Sequence, residues 1–187
     1  MTSNKILNTR GLTLCALFAA LIAVGAFIKV PVPVVPFTLQ FLFTTLAGLL
    51  LGRKLGAISV AVYIAIGLLG VPVFAGGGGI GYIFQPTFGY IIGFLVGTYV
   101  TGYITEKSLN PSLKRLLFAS FSGLGIVYLF GMVYYYFVAN YYMNSPISVW
   151  SLILYCFLLA VPGDIAICFA SAKISKRLIP IVKRGQL

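Results

Sequence analysis

The chain has 187 residues, of which 60% are hydrophobic and only 8% are charged, whereas an ordinary soluble domain carries about 25% charged residues. This composition excludes a soluble globular domain and predicts an all-α integral membrane protein, organised as one domain over 1–187 without a linker or soluble module. The chain has thirteen Lys and Arg, two acids and no His. Its three cysteines lie in apolar runs without C-x-x-C spacing. We therefore expect neither a metal site nor a disulfide.

Six apolar stretches, separated by charges, prolines and glycines, are candidates for membrane-spanning helices, which need about 20 residues each. They lie near 11–29, 38–52, 55–71, 86–105, 116–139 and 148–182. No cleavage site follows the first stretch, and further apolar runs come after it. We expect it to be a retained helix and not a signal peptide.

Two features subdivide these stretches. Only 52–56 separates the short second and third stretches, which predicts a tight hairpin. Pro162 and Gly163 interrupt the last stretch, because Pro removes a helix hydrogen bond. A short outer helix near 148–160 is therefore expected before a spanning helix that begins near Pro162.

The distribution of cations predicts the orientation, because Lys and Arg are retained on the cytoplasmic side of a membrane. With the N-terminus inside, twelve of the thirteen cations fall at inner ends and only Lys29 falls outside. Both termini are then cytoplasmic, and 30–37, 72–85 and 140–147 form outer loops. Glu106, next to a Lys at an inner helix end, is expected to be a solvated charge.

The stretch 76–90, GGGGIGYIFQPTFGY, combines glycines with aromatic rings. Gly allows a ligand to approach the backbone closely, and rings supply flat apolar walls, so the stretch predicts one wall of a ligand site. Its candidate contacts are Gly79, Gly81, Tyr82, Phe84, Gln85 and Tyr90. A flexible surface turn is the alternative. The G-x-G-x-x-G string within it lacks the strand, helix and acidic residue that a dinucleotide site requires.

The segment 30–40, here called the strap, contains three prolines and is expected to be stiff and extended, as a cap over a pocket would be. Thr38 and Gln40 bring hydrogen-bonding groups to the outer end of the second helix. Thr38 has a simpler alternative role as a helix cap.

Asp164 is the acid that no water-facing loop accommodates. A carboxylate inside the bilayer costs about 2.5–3.5 kcal/mol, so it normally marks a site or pathway. We expect ligand contact, with capping of the helix N-terminus as the alternative. Lys29 and Lys173 are candidate partners for an anionic substrate or, alternatively, lipid anchors. Lys173 lies about 13 Å beyond Asp164 along a straight helix, so the two should not pair directly.

Small residues recur every four positions in the first helix, as Ala16-x-x-x-Ala20 and Ala19-x-x-x-Ala23. Such strips allow another helix to approach closely. The neighbour is either a helix of the same bundle or another protein.

Several segments together resemble the BioY family, the biotin-binding membrane subunits of energy-coupling factor (ECF) transporters. They are the alanine-rich first helix and the segments 35–40, 67–74, 76–81, 85–94 and 161–164. The resemblance covers nearly the whole chain. One departure is Ile167, where the family commonly carries a Lys.

The resemblance implies a bundle of six transmembrane helices in the cell membrane, with long outer loops capping a site for biotin. Biotin would be the transported substrate and not a cofactor. Asp164 or Gln40 would accept its ureido N–H groups, and the rings of Tyr82, Phe84 and Tyr90 would contact its fused rings. Lys29 or Lys173 would meet its carboxylate.

The implied partners are a membrane coupling protein and two cytoplasmic ATPases, which would dock on the alanine strips. The chain itself has no G-x-x-x-x-G-K-[ST] phosphate loop, which predicts that ATP is hydrolysed elsewhere. An enzyme is not expected, because the sequence lacks His and paired carboxylates. A subunit for another vitamin, and a facilitator acting alone, remain alternatives.

Overall fold

The computed structural model describes residues 9–30, 35–143 and 145–184. Its α-helices are α1 (Thr9–Phe27), α2 (Gln40–Leu68), α3 (Phe88–Glu106), α4 (Leu113–Phe137), α5 (Val149–Ile153) and α6 (Val161–Arg184). Two short strands, β1 (Lys29–Val30) and β2 (Phe37–Thr38), pair in antiparallel register at the two ends of the strap. A 3₁₀ helix at Ile80–Phe84 precedes α3, and π-helical turns extend α4 over Val138–Tyr142 and α5 over Leu154–Leu158.

Five helical stretches among the described residues are long and apolar enough to cross a membrane. They are Thr9–Phe27, Gln40–Leu68, Phe88–Glu106, Leu113–Tyr142 and Val149–Val182. The largest packing interfaces join α3 to α4, α2 to α3 and α1 to α2, while α6 packs on both α2 and α4. This mostly helical, strongly apolar architecture agrees with the all-α membrane class expected from composition.

The chain reverses direction within α2, at Gly52. Its φ of 83° and ψ of −177° are not helical, and φ in this range favours glycine. Gln40 Nε2 lies 2.7 Å from Tyr63 Oη, although 23 residues of straight helix would separate them by about 35 Å. The two arms of α2 therefore lie side by side, as the expected hairpin at 52–56 requires.

The first residues of α6 and of α2 test two expectations from the sequence, namely where the last helix begins and whether Thr38 caps a helix. α6 begins at Val161, one residue before Pro162, after the break that follows α5. Asp164 therefore lies in the first turn of α6, as the sequence suggested. The capping role considered for Thr38 is not seen, because Leu39 is the N-cap residue of α2 and Thr38 belongs to β2.

The cationic residues that contact other helices meet at one end of the bundle, here called the basic end. The guanidinium of Arg53 pairs with Glu106 at 3.2 Å, and Lys176 Nζ donates to the carbonyl of Pro111 at 2.9 Å. Arg10 donates to the carbonyl of Val182 at 3.4 Å. Glu106 is therefore more than a solvated charge, because it also accepts a hydrogen bond from the backbone N–H of Arg53 at 2.8 Å.

The opposite end, here called the loop end, carries residues 35–40 of the strap, the loop 69–87 that follows α2, and the start of α6; residues 31–34 of the strap, expected to be extended, lie outside the described residues. Its core is rich in aromatic residues, including Tyr63, Phe74 and Tyr90. Toward the basic end the core is mainly aliphatic, with Leu49 and Leu116 among its members. Aromatic side chains, several of them tyrosines, are thus concentrated in the part of the core that lies under the loops.

Candidate functional site

Two adjoining clefts lie at the loop end. The first is lined by Val35, Pro36, Phe37, Thr38, Phe41, Tyr90, Phe94, Val127, Tyr128, Cys156, Ala160 and Asp164. The second is lined by Val35, Pro36, Thr38, Gln40, Ala75, Tyr82, Thr87, Tyr90, Ile91 and Phe94. Each encloses about 50 Å³, which is room for a few waters. Val35 and Pro36 of the strap border both clefts, so the two clefts share part of their lining.

Asp164 supplies the carboxylate of the first cleft. The first turn of α6 favours an anion there, because backbone N–H groups at a helix start carry partial positive charge. Asp164 is only 8% exposed, and the hydroxyl of Tyr128 donates to its Oδ2 at 2.5 Å. Among the described residues, no Lys or Arg lies within ion-pair distance of Asp164. The carboxylate is therefore held by a neutral donor in an apolar surrounding.

Ring packing holds Tyr128 in place on α4. The ring of Phe157 meets it edge to face at a centroid distance of 5.0 Å, and the ring of Tyr90 meets it at 6.3 Å. Aromatic pairs prefer such edge-on geometry over face-to-face stacking. Three helical elements, α3, α4 and the turn after α5, thus fix the aromatic wall beside Asp164.

Gln40 belongs to a chain of hydrogen bonds that joins the strap to the loop 69–87. Thr38 Oγ1 donates to Gln40 Oε1 at 3.1 Å, and Gln40 Nε2 donates to Tyr63 Oη at 2.7 Å. Tyr63 in turn donates to the carbonyl of Val73 at 3.1 Å. Gln40 is 4% exposed, so the chain is shielded from water and links both elements that cover the clefts.

The loop 69–87 is attached on two further sides. Lys29 Nζ donates to the carbonyl of Ala75 at 3.0 Å, and the Tyr134 hydroxyl donates to the carbonyl of Ile83. These bonds connect the loop to β1 and to α4. The loop lies over the second cleft and is held there by side chains of several elements, so it forms a cover over that cleft.

The predicted contacts of 76–90 separate into two groups. Tyr82 and Tyr90 are buried and line the clefts. Phe84 is 54% exposed and stacks on Tyr142 at 5.0 Å, and Gln85 is exposed. Neither of these, nor Gly79 or Gly81, is among the residues that line the two clefts.

The two cations proposed for an anionic substrate lie in different places. Lys29 is next to the second cleft, through its bond to Ala75, which lines that cleft. Lys173 is exposed on α6, nine residues beyond Asp164, and lines neither cleft. Of the two, Lys29 is nearer to any ligand held in the clefts.

Sequence reasoning missed Tyr128, whose hydroxyl donates to Asp164, and Tyr63, one of the tyrosines whose hydroxyls donate to the loop 69–87. Both lie inside long apolar runs, where a Tyr resembles any packing residue. The described residues hold no group of three or more His, Cys, Asp or Glu that could bind a metal. The lining of the first cleft sets aromatic walls beside one carboxylate, which can accept hydrogen bonds.

The alanine strips of α1 face different directions. Ala19 is 5% exposed and belongs to the bundle core, and Ala23 packs against that core. Ala16 and Ala20 are exposed. Only the Ala16–Ala20 strip is therefore available to another protein, which corrects the expectation that both strips could serve as a docking surface.

Comparison with known proteins agrees with this architecture. The solved structure of the S-component for biotin from an ECF-type ABC transporter superposes with a TM-score of 0.78 and 28% sequence identity, covering 95% of this chain and 94% of that one. The probable biotin transporter BioY of Lysinibacillus sphaericus is 44% identical over 179 residues, which is 96% of this chain and 91% of that protein.

A second relative, the biotin transporter BioY of Thermotoga maritima, is 42% identical over 137 residues, or 73% of this chain and 78% of that protein. The sequence profile of the BioY family matches residues 1–184. The match spans both the clefts and the helices that build them, and the chain belongs to the BioY family.

Proposed function

We propose that this multi-pass membrane protein is the biotin-binding subunit of a vitamin uptake transporter and captures biotin at the loop end. The observation that carries the proposal is the buried carboxylate of Asp164 beside aromatic walls. A carboxylate accepts hydrogen bonds from N–H groups, which the ureido ring of biotin supplies. The names of the relatives and of the solved S-component support the same substrate.

Aromatic and polar groups around the clefts suit the rest of the ligand. Tyr82 and Tyr90 offer apolar faces to the fused rings, as the walls of small-molecule sites generally do. Lys29 is the cation best situated for the carboxylate at the end of the ligand's aliphatic chain. Phe84, Gln85, Gly79 and Gly81 belong to the cover and would reach the ligand only if the loop 69–87 rearranged around it.

The proposed orientation has the basic end in the cytoplasm and the loop end outside. The charge rule supports it, because Arg10, Arg53 and Lys176 all make contacts at the basic end, whereas Lys29 contacts the loop end. Counting the two arms of α2 as separate spans gives six transmembrane helices and two cytoplasmic termini. The clefts then receive substrate from outside, beneath the strap and the loop 69–87.

Transport is proposed to require partners. The chain has no phosphate loop, so ATP would be hydrolysed by two cytoplasmic ATPases that act through a membrane coupling protein. The exposed Ala16–Ala20 strip supports docking of that protein on α1, because small residues allow close helix approach without a polar contact. The subunit itself would be no enzyme and would need no cofactor.

Calorimetric titration of the purified chain with biotin and a small panel of other vitamins tests the proposal. Saturable, tight binding of biotin alone is expected. Tight binding of a different vitamin would reassign the substrate. Uptake of biotin into liposomes that contain only this chain, without partners or ATP, would favour a facilitator acting alone.

A further inference from the structure

Tyr90 carries a buried hydroxyl whose role the packing of the bundle does not explain. Tyr90 is 9% exposed, and its hydroxyl has no nitrogen or oxygen partner among the residues that the structure describes; its polar neighbour is the thiol of Cys156, whose sulfur is a weak acceptor. A buried polar group without a partner costs roughly tenfold to a hundredfold in an equilibrium constant. Tyr90 also lines both clefts. A donor that meets only a weak sulfur acceptor at the wall of a binding site is a group that a ligand oxygen can satisfy better.

Asp164 shows the complementary feature on the same cleft. Its Oδ2 accepts a hydrogen bond from Tyr128, while Oδ1 accepts none from the side chains and backbone within the described ranges. The ring centroids of Tyr90 and Tyr128 are 6.3 Å apart at an interplanar angle of 84°. The lining of the first cleft therefore presents an open acceptor, from Asp164, and a donor, from Tyr90, that meets only the Cys156 thiol.

We propose that Tyr90 is a specificity-determining residue that recognises the ureido carbonyl of biotin. Its hydroxyl donates to the carbonyl oxygen, while Asp164 Oδ1 accepts from the adjacent ureido N–H. Tyr128 is a positioning residue, because its bond to Oδ2 orients the carboxylate without contacting the ligand. This assignment rests on the proposed function. It adds to that function the residue that recognises the ureido carbonyl of biotin by a hydrogen bond.

The chemistry of a cyclic urea explains why both groups are needed. The carbonyl oxygen and an N–H lie side by side on one edge of the ring, so a neighbouring donor and acceptor bind that edge together. A lactone ring of the same size has no N–H and would leave the acceptor on Asp164 unpaired. A hydrocarbon ring would leave both the acceptor and the donor unpaired. A site with buried polar groups rejects such analogues more strongly than an apolar pocket does.

The test compares biotin with thiobiotin, in which sulfur, a poor hydrogen-bond acceptor, replaces the ureido oxygen. Equilibrium dissociation constants are measured for the purified full chain and for Tyr90→Phe, Tyr128→Phe and Tyr99→Phe. Tyr99 is on the same helix as Tyr90 but is 45% exposed and lines neither cleft. It provides a matched control for the loss of a hydroxyl.

The parent chain is expected to prefer biotin over thiobiotin by about tenfold or more. Tyr90→Phe should lose about tenfold in biotin affinity and little in thiobiotin affinity, so that the preference falls toward one. Retained thiobiotin binding shows that the variant is folded. Tyr128→Phe should weaken both ligands by a similar factor and keep the preference, and Tyr99→Phe should change neither value.

The outcomes separate the assignment from the function on which it rests. Tight biotin binding by the parent, with an unchanged preference in Tyr90→Phe, would overturn the role of Tyr90 alone. A parent chain that binds no biotin would overturn the proposed function and the assignment together. A preference lost equally in Tyr99→Phe would show that the effect is not specific to the cleft, and would also overturn the assignment.

Discussion

A carboxylate buried among aromatic rings is costly unless it meets a donor, and Asp164 meets one in the hydroxyl of Tyr128. The pair leaves one carboxylate oxygen for a ligand and needs no neighbouring cation. Ile167, three residues after Asp164 on α6, is buried and cannot donate. At the scale of single residues, the donor to the carboxylate therefore comes from α4 and not from the helix that carries Asp164.

Lys29 and Lys173 allow a direct test of which cation meets the ligand carboxylate. Lys29→Gln is expected to weaken biotin binding by about tenfold, because a charge-assisted hydrogen bond contributes roughly 1.5–3 kcal/mol and partial exposure reduces this. Its affinity for biotin amide, which lacks the negative charge, should change little. Isothermal titration with both ligands measures the difference.

Lys173→Gln is the matched control, since Lys173 is exposed and lines neither cleft. It should bind both ligands like the parent chain. A loss confined to Lys173→Gln would reverse the assignment of the cation.

Single residues differed in how readily the sequence revealed them. Asp164 was identifiable because an acid inside an apolar run is rare and expensive. Tyr128 was not, because an aromatic residue at helical spacing has the same pattern whether it packs or donates. Its role depends on which residue of another helix lies opposite, and no local pattern encodes that.

At the scale of elements, the reversal of α2 depends on contacts with α3. Gly52 adopts a φ of 83°, and a Cβ there would lie 2.1 Å from Glu106 Oε1. The carboxylate of Glu106 accepts the backbone N–H of Arg53 at the start of the second arm, as a capping side chain would. A residue at the end of α3 thus completes a helix start in α2.

Glu106→Ala tests this contact between the elements. The substitution removes an acceptor and a partly exposed ion pair, and should cost about 1 kcal/mol. The thermal unfolding midpoint in detergent should fall by about 2–4 °C. Lys54→Ala, at the exposed neighbour of Arg53, should leave the midpoint unchanged. An equal midpoint in the Glu106 variant and the parent would show that the carboxylate does not support the hairpin.

The second prediction at this scale concerns the exposed face of α1. Ala20→Trp is expected to abolish copurification with the coupling protein and ATPases, because the bulky ring prevents close helix approach. Biotin affinity should be retained, since Ala20 is exposed and lines neither cleft. Leu129→Trp, at a 59% exposed position of α4, is the control for adding a large ring. Intact assembly of the Ala20 variant would contradict docking at this strip.

The elements themselves were largely predictable, whereas their relative placement was not. Apolar runs and the glycines at 52–56 predicted the spans and the hairpin, and Pro162 marked the break before α6. The stretch 76–90 was singled out for its rings, of which Tyr82 and Tyr90 line the clefts, whereas Phe84 turns outward onto Tyr142. The turn of the 3₁₀ helix decides which rings face inward, and that turn has no clear periodic signal in so short a segment.

At the scale of the whole molecule, the two ends of the bundle are built differently. The basic end holds helices together by cation contacts with carbonyls and with Glu106. At the loop end, residues 35–40 of the strap and the loop 69–87 border the two clefts and are joined through Gln40 and Tyr63. The residues that make contacts at the basic end line neither cleft, so the two ends of the bundle are held by separate sets of bonds.

The two acids of the chain allow the central claim to be measured directly. Asp164→Asn and Glu106→Gln make the same chemical change at opposite ends of the bundle, and biotin affinity is determined for both by calorimetry. Asp164→Asn should weaken binding by about tenfold to a hundredfold, because the ligand loses hydrogen bonds to a charged group. Glu106→Gln should bind like the parent. If folded Asp164→Asn bound biotin as tightly as the parent chain, the cleft around Asp164 would not be the biotin site.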